Sequence, residues 1–215
     1  MIFELASFLI AAFAFGAGAA AIFQKKKPLY FQLLVSAAGC FALERLSSVV
    51  NLWCSVYESF GIGMLGVFGC NFFLLSANFG TLDKIVDDGT DSKKARALAF
   101  FAPAVTALLT LGVFLVWQKQ SLVGAAIWAL LLLPALPASY FNLKHLLLPE
   151  DPFGFLAATK RCNYAAIGFY IASAAYGAAS ALSQTTLCGI FAVLTSLTVL
   201  ALVLASIKGV KQWGI

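Results

Sequence analysis

Apolar residues run through this chain in blocks of about twenty, and polar residues keep to the gaps between blocks and to a few isolated interior positions. Seven blocks stand out: residues 2–23, 29–52, 60–86, 95–117, 122–147, 162–182 and 187–207. None alternates with the period of two that a barrel strand needs. In lipid a backbone must satisfy its own hydrogen bonds, so the blocks predict membrane-spanning α-helices. The gaps are short, and the expectation is one all-α integral membrane domain over residues 1–215, a bundle of seven transmembrane helices.

Composition agrees. Hydrophobic residues make up 62% of the 215 and charged residues 11%, against roughly a half and a quarter in soluble domains. Mean hydropathy is +0.94. The first block would read as a secretory leader if positive charge preceded it. Its early charge is Glu4, and Lys25, Lys26 and Lys27 follow it, so it is expected to remain as a helix.

Basic residues orient the bundle through the positive-inside rule. With Lys25–Lys27 in the cytoplasm, alternate crossings bring Lys84, Lys93, Lys94, Arg96, Lys144, Lys160, Arg161, Lys208 and Lys211 to the same side, and leave Lys119 outside. The expected topology has the N-terminus outside and the C-terminus inside, in a plasma membrane. The net charge of +5 is then a topology signal with some attraction for anionic lipid, and no nucleic-acid partner is expected. Trp53, Trp117, Trp128 and Trp213 fall near block ends, where amphipathic rings favour the interface. Cys54 and Cys188 fall near the outer face, where an oxidising compartment would permit a disulfide.

An ionisable pair sits inside the second block, in GCFALERLSSVVN. Counting from Leu29, Glu44 lies about 22 Å along its helix, within a hydrocarbon core of about 30 Å. Adjacent residues point about 100° apart, so Glu44 and Arg45 are expected to have separate explanations. Arg45 shares a face with Phe41, Val49 and Leu52. It reads as a charge clamp between helices, or as an arginine whose stem reaches the interface. Glu44 shares a stripe with Ala37, Cys40, Ser47, Ser48 and Asn51, and small and polar residues in one stripe mark a face turned towards other helices. An acid held there suits proton coupling or recognition of a substrate amine.

Other blocks offer partners. Asn71, with Asn78 two turns on, lies in the third. Tyr170, Ser173, Gly177 and Ser180 form a polar and small stripe in the sixth. Pro134 and Pro137 remove two amide donors from the fifth, which predicts a kink or hinge with freed carbonyls near Leu130 and Leu133. Thr195, Ser196 and Thr198 are expected to bond back to their own helix. The substrate or proton site expected from these positions is Glu44, Asn71, Tyr170 and Ser173, between the second, third, fifth and sixth helices.

Patterns that resemble enzymatic chemistry do not hold. GIGMLG, residues 61–66, fits GxGxxG but lacks the strand-to-helix turn that a dinucleotide needs, so close helix packing explains the glycines. DKIVDDGTDSKKAR, residues 83–96, gathers Asp83, Asp87, Asp88 and Asp91, yet lacks the spacing and the second aspartate motif of a metal-dependent lipid enzyme; a solvated turn with helix caps covers it. His145 stands alone. No catalytic residue, metal or cofactor is expected.

Seven helices in this orientation describe parallel-repeat carriers and also rhodopsins and many receptors. A retinal protein needs a lysine midway along its last helix, and residues 187–207 contain none. The leading expectation is a small-solute transporter or permease-like protein. The alternative is a receptor-like sensor that signals through a separate cytoplasmic partner. Expected partners are membrane lipid and a small-molecule solute, with a second copy of the chain or a cytoplasmic protein as further candidates.

Overall fold

In a computed structural model, described here for residues 2–24, 27–54, 63–83, 93–148 and 155–212, all regular structure is helical. The helices are α1 (Ile2–Gln24), α2 (Leu29–Trp53), α3 (Met64–Leu82), α4 (Lys93–Trp117), α5 (Leu122–Leu147), α6 (Phe155–Ala181) and α7 (Thr185–Gln212). Six of them, all but α6, are long and apolar enough to cross a membrane. The 27 residues of α6 are diluted by glycine, serine and tyrosine.

Local sequence explains where helices start, break and stop. Extended Pro28 precedes α2. The Ser121 hydroxyl accepts the Gly124 amide at 3.1 Å and caps α5. Lengths Met64–Leu75 and Ser76–Leu82 make up α3, the second wound as a wider π-helix. Within it Asn78 Nδ2 donates to the Leu74 carbonyl at 3.1 Å. In α5 the prolines do not act alike. The helix breaks at Leu133–Pro134 into Leu122–Leu132 and Ala135–Leu147. Pro137 falls in the first turn of the second length, where a missing amide donor is tolerated. Thr195, Ser196 and Thr198 donate to carbonyls of their own helix.

Packing closes the helices into a ring. Going round, α1 packs on α2, α2 on α3, α3 on α5, α5 on α6, α6 on α7, and α7 back on α1; α4 lies outside against α5 and α6. The last two helices form a hairpin turned at Ser183, whose φ of 54° is left-handed. They run antiparallel, with Cys162 beside Leu202 and Gly168 beside Thr198. The main core is built of Leu34, Phe41, Leu74, Phe169 and Val203 with alanines between. Large side chains on the outside, such as Leu98, Phe101 and Leu108 of α4, are exposed, as lipid contact requires.

Close approach of α2 and α3 rests on glycine. A Cβ on Gly66 would run into the Cys40 carbonyl and the Glu44 Cβ, and one on Gly63 into Ser47. These are the described glycines of the GxGxxG stretch, and they act as packing notches; Gly61 lies outside the described residues. So do Lys84, Asp87, Asp88, Gly89, Thr90, Asp91, Ser92, residues 149–154 and Trp213. The five cysteines are free thiols, Cys54 and Cys188 included.

Candidate functional site

The bundle has an amino end, where α1, α3, α5 and α7 begin and α2, α4 and α6 finish, and an opposite end. Each carries a polar layer.

At the amino end the layer is built around Arg45. Contrary to the expectation from helical spacing, Glu44 and Arg45 do pair. The guanidinium donates through Nε and Nη2 to the two oxygens of the Glu44 carboxylate. Cβ directions about 100° apart do not prevent this, because the arginine stem curls along its own helix once no water competes for its head. Nor does Arg45 reach an interface: it is 2% exposed. Its Nη1 lies 3.5 Å from Glu4 of α1, a carboxylate that the sequence pattern marked only as a terminal flank. The guanidinium also sits 4.8 Å from the Tyr176 ring centroid and 5.3 Å from that of Phe41. Ser48 Oγ donates to Glu44 Oε1 at 3.2 Å.

A pocket of about 230 Å³ extends from Glu44 towards the amino end. Glu44, Ser47, Ser48 and Asn51 of α2 form one wall; Trp117, Trp128 and Tyr176 form an aromatic one. The rings touch in sequence, with Trp117 and Trp128 centroids 6.4 Å apart and Trp128 and Tyr176 6.3 Å apart. These two tryptophans therefore turn inward instead of joining an interfacial belt, while Trp53 is exposed. Trp117 is fixed by donating Nε1 to the Gly177 carbonyl at 3.0 Å. Trp128 Nε1 is buried and meets no acceptor among the described residues. A second pocket, of about 440 Å³, takes in Glu4 and Cys188 and shares Tyr176 and Ser180 with the first.

At the opposite end a hydrogen-bonded layer ties α3, α5 and α6. Asn78 Nδ2 donates to Asn142 Oδ1 at 2.8 Å, and Asn142 Nδ2 to the Tyr170 hydroxyl at 3.1 Å. Lys144 Nζ reaches Asp83 at 2.6 Å, and His145 bridges Asp83 at 3.2 Å and Asn78 at 3.3 Å. Lys144 is buried, so it is no solvated loop charge. Asp83 stands just beyond the last residue of α3. Burial pushes its carboxyl up, but hydrogen bonds from His145 and Lys144, with their charges, outweigh that and hold it below the ordinary carboxylate value.

Residues expected to form one site are thus distributed. Glu44 lines the amino-end pocket with Arg45 behind it. Tyr170 belongs to the opposite layer. Between the two, Asn71 is fully buried and donates Nδ2 to the Leu131 carbonyl at 3.2 Å, beside the α5 break. Ser173 is buried on α6 and lines neither amino-end pocket. Sequence reasoning missed Glu4, Trp117, Trp128 and Tyr176. One signal was available: a buried arginine needs counter-charge, and Glu4 and Glu44 are the acids within reach of the same membrane depth.

Among the described residues no group of three His, Cys, Asp or Glu side chains could hold a metal ion. Comparison with protein-family models, with curated proteins and with solved structures returns no match.

Proposed function

We propose that this chain is a small-solute transporter of the plasma membrane that crosses it seven times, N-terminus outside and C-terminus inside. Support for the seventh crossing comes from the α6–α7 hairpin, in which α6 packs antiparallel on a helix long and apolar enough to span. Support for the orientation comes from charge. Lys27, Lys93, Lys94, Lys160, Arg161 and Lys208 cluster at the opposite end, against Lys119 at the amino end.

The observation that carries the transport reading is the amino-end pocket that ends on the Glu44 carboxylate, while at the other end hydrogen bonds and ion pairs tie α3, α5 and α6 together. A polar site nearer one side, with a bonded layer on the other, is an arrangement that alternating access can use. The break in α5 favours transport over sensing. Trp128 stands on one length of that helix, and Asn142, Lys144 and His145 on the other, so the helix can hinge between pocket and lock.

Uptake into proteoliposomes, over a panel of labelled small solutes and with an imposed proton gradient, tests the reading. Accumulation by the wild-type protein and its loss in Glu44→Gln are expected. No accumulation of any solute, or undiminished uptake by Glu44→Gln, would overturn it; saturable binding without uptake would turn the reading to a sensor.

A further inference from the structure

We infer that the amino-end pocket is a site for a small organic ammonium ion that carries an oxygen acceptor. This rests on the reading of the pocket as a ligand site and names the class of ligand.

Charge is the first argument. Two carboxylates, Glu4 and Glu44, surround one guanidinium. Among the described residues, neither amino-end pocket is lined by a lysine, histidine or arginine. With all three ionised, these side chains carry one negative charge in excess between them, and a cationic occupant beside Glu44 would balance it. The second argument is the wall. Trp117, Trp128 and Tyr176 make a run of aromatic rings next to the carboxylate, and a ring face beside an anion is how proteins recognise alkylammonium groups. The folded protein already uses this chemistry once, since the Arg45 guanidinium stands over Tyr176. The third is the Trp128 N–H, a donor buried in that same wall with no acceptor among the described residues. A buried donor without a partner is costly, and a ligand that turns the ring edge towards the pocket would offer it a hydroxyl or carbonyl oxygen as acceptor. Size agrees: about 230 Å³ is below the range of roughly 300–1,000 Å³ typical of drug-sized ligands.

Such an ammonium could arrive as a free solute or as a lipid headgroup, and the test separates the two. The full chain is placed in nanodiscs of phosphatidylglycerol, which contribute no ammonium. It is titrated with choline and with 3,3-dimethyl-1-butanol, the neutral carbon isostere, while tryptophan fluorescence and the unfolding temperature are followed. Choline is expected to act at concentrations at least about tenfold lower than the isostere. In Glu44→Gln that preference is expected to disappear. Should that variant fail to fold, Trp128→Phe keeps an aromatic face but removes the N–H and part of the indole, and choline is expected to bind it several-fold more weakly. Equal action of choline and the isostere on the wild-type protein, or no response to choline, would overturn the inference. In nanodiscs that contain phosphatidylcholine, a weakened response to free choline identifies the headgroup as occupant and an unchanged one identifies the solute; both uphold an ammonium site. The transport reading fails separately: choline bound but never taken up removes transport and leaves the site. Uptake of neutral solutes by a protein indifferent to choline does the reverse.

Discussion

Replacing Arg45 by methionine is the sharpest perturbation that the amino-end layer offers. Methionine matches much of the stem and removes the charge. In the wild-type protein the guanidinium is 2% exposed and bonded to both Glu44 oxygens, with Glu4 at 3.5 Å. At an effective dielectric of about 20, a unit-charge pair at that separation attracts by roughly 5 kcal/mol before desolvation is subtracted. Net of desolvation, breaking a buried pair by removing one partner is destabilising by about 3–5 kcal/mol, because the other partner remains buried and uncompensated. Here two carboxylates are stranded, so Arg45→Met is expected to fall in the upper half of that range. That is a large share of a domain stability of about 5–15 kcal/mol. Adding Glu44→Gln to Arg45→Met removes one stranded charge and should recover about 1–3 kcal/mol, a coupling that a double-mutant cycle isolates. Arg45→Lys should recover less than the wild-type stability, since an ammonium cannot make the two-pronged contact. The assay is unfolding of detergent-solubilised protein by sodium dodecyl sulfate, followed by circular dichroism. A loss below about 1 kcal/mol for Arg45→Met would be the value of an exposed ion pair and would refute a buried one.

Four further outcomes follow from the same geometry. Gly66→Ala drives a methyl into the Cys40 carbonyl and Glu44, and should be destabilising by about 1–3 kcal/mol. Gly112→Ala, with nothing within 4 Å of the new atom, should be neutral or stabilising by up to about 1 kcal/mol; equal effects at the two positions would contradict the α2–α3 packing. Asp83→Asn should alter the acid limb of stability. A carboxyl held below its ordinary value contributes fully above the unfolded value, near 3.9, and loses that contribution as pH falls through its folded value. Wild-type and Asp83→Asn stabilities should therefore differ above about pH 4 and converge below it, and parallel curves would refute the ion pair. Asn71→Leu removes the donor to the Leu131 carbonyl and should be destabilising by about 1–3 kcal/mol; thermal unfolding that does not change would show that carbonyl served from elsewhere.

The helices were legible because hydropathy along the chain marks what lipid touches. The boundaries that failed are those where lipid is not the neighbour. Hydropathy starts the sixth block at residue 162, yet α6 begins at Phe155, since Thr159, Lys160 and Arg161 are helical without being greasy. The π-helical end of α3 has no signature in apolar periodicity; it carries Asn78, which meets Asn142 across the bundle. Glu44 could be picked out as an acid on a small-residue stripe. Its partner could not be derived from Cβ directions, because an arginine stem is long enough to curl back to the adjacent carboxylate. Trp117 and Trp128 look like interfacial tryptophans in sequence, and only the closure of α4, α5 and α6 turns them inward. Asp83, Lys144 and His145 lie near block edges and resemble loop charges. Their pairing joins residues some sixty positions apart, which no local pattern records.

The break in α5 also decides what the prolines are for. Were the freed carbonyls unsatisfied, the break itself would be the binding site, as in carriers whose unwound backbone coordinates an ion. They are satisfied. The Leu130 carbonyl accepts the Leu133 amide at 3.2 Å and the Leu133 carbonyl that of Leu136 at 3.3 Å, in tightened turns, and the Leu131 carbonyl between them takes the Asn71 side chain. The break is thus closed within the protein and asks nothing of a ligand. What it does is divide one helix between two polar layers: the length before it contributes Trp128 to the pocket, and the length after it contributes Asn142, Lys144 and His145 to the lock. Chemistry at the amino end therefore belongs to the side chains of the pocket, with Glu44 and the aromatic wall as the groups that a solute would meet. On the transport proposal, the α5 break is the joint through which their occupancy would be felt at the other end.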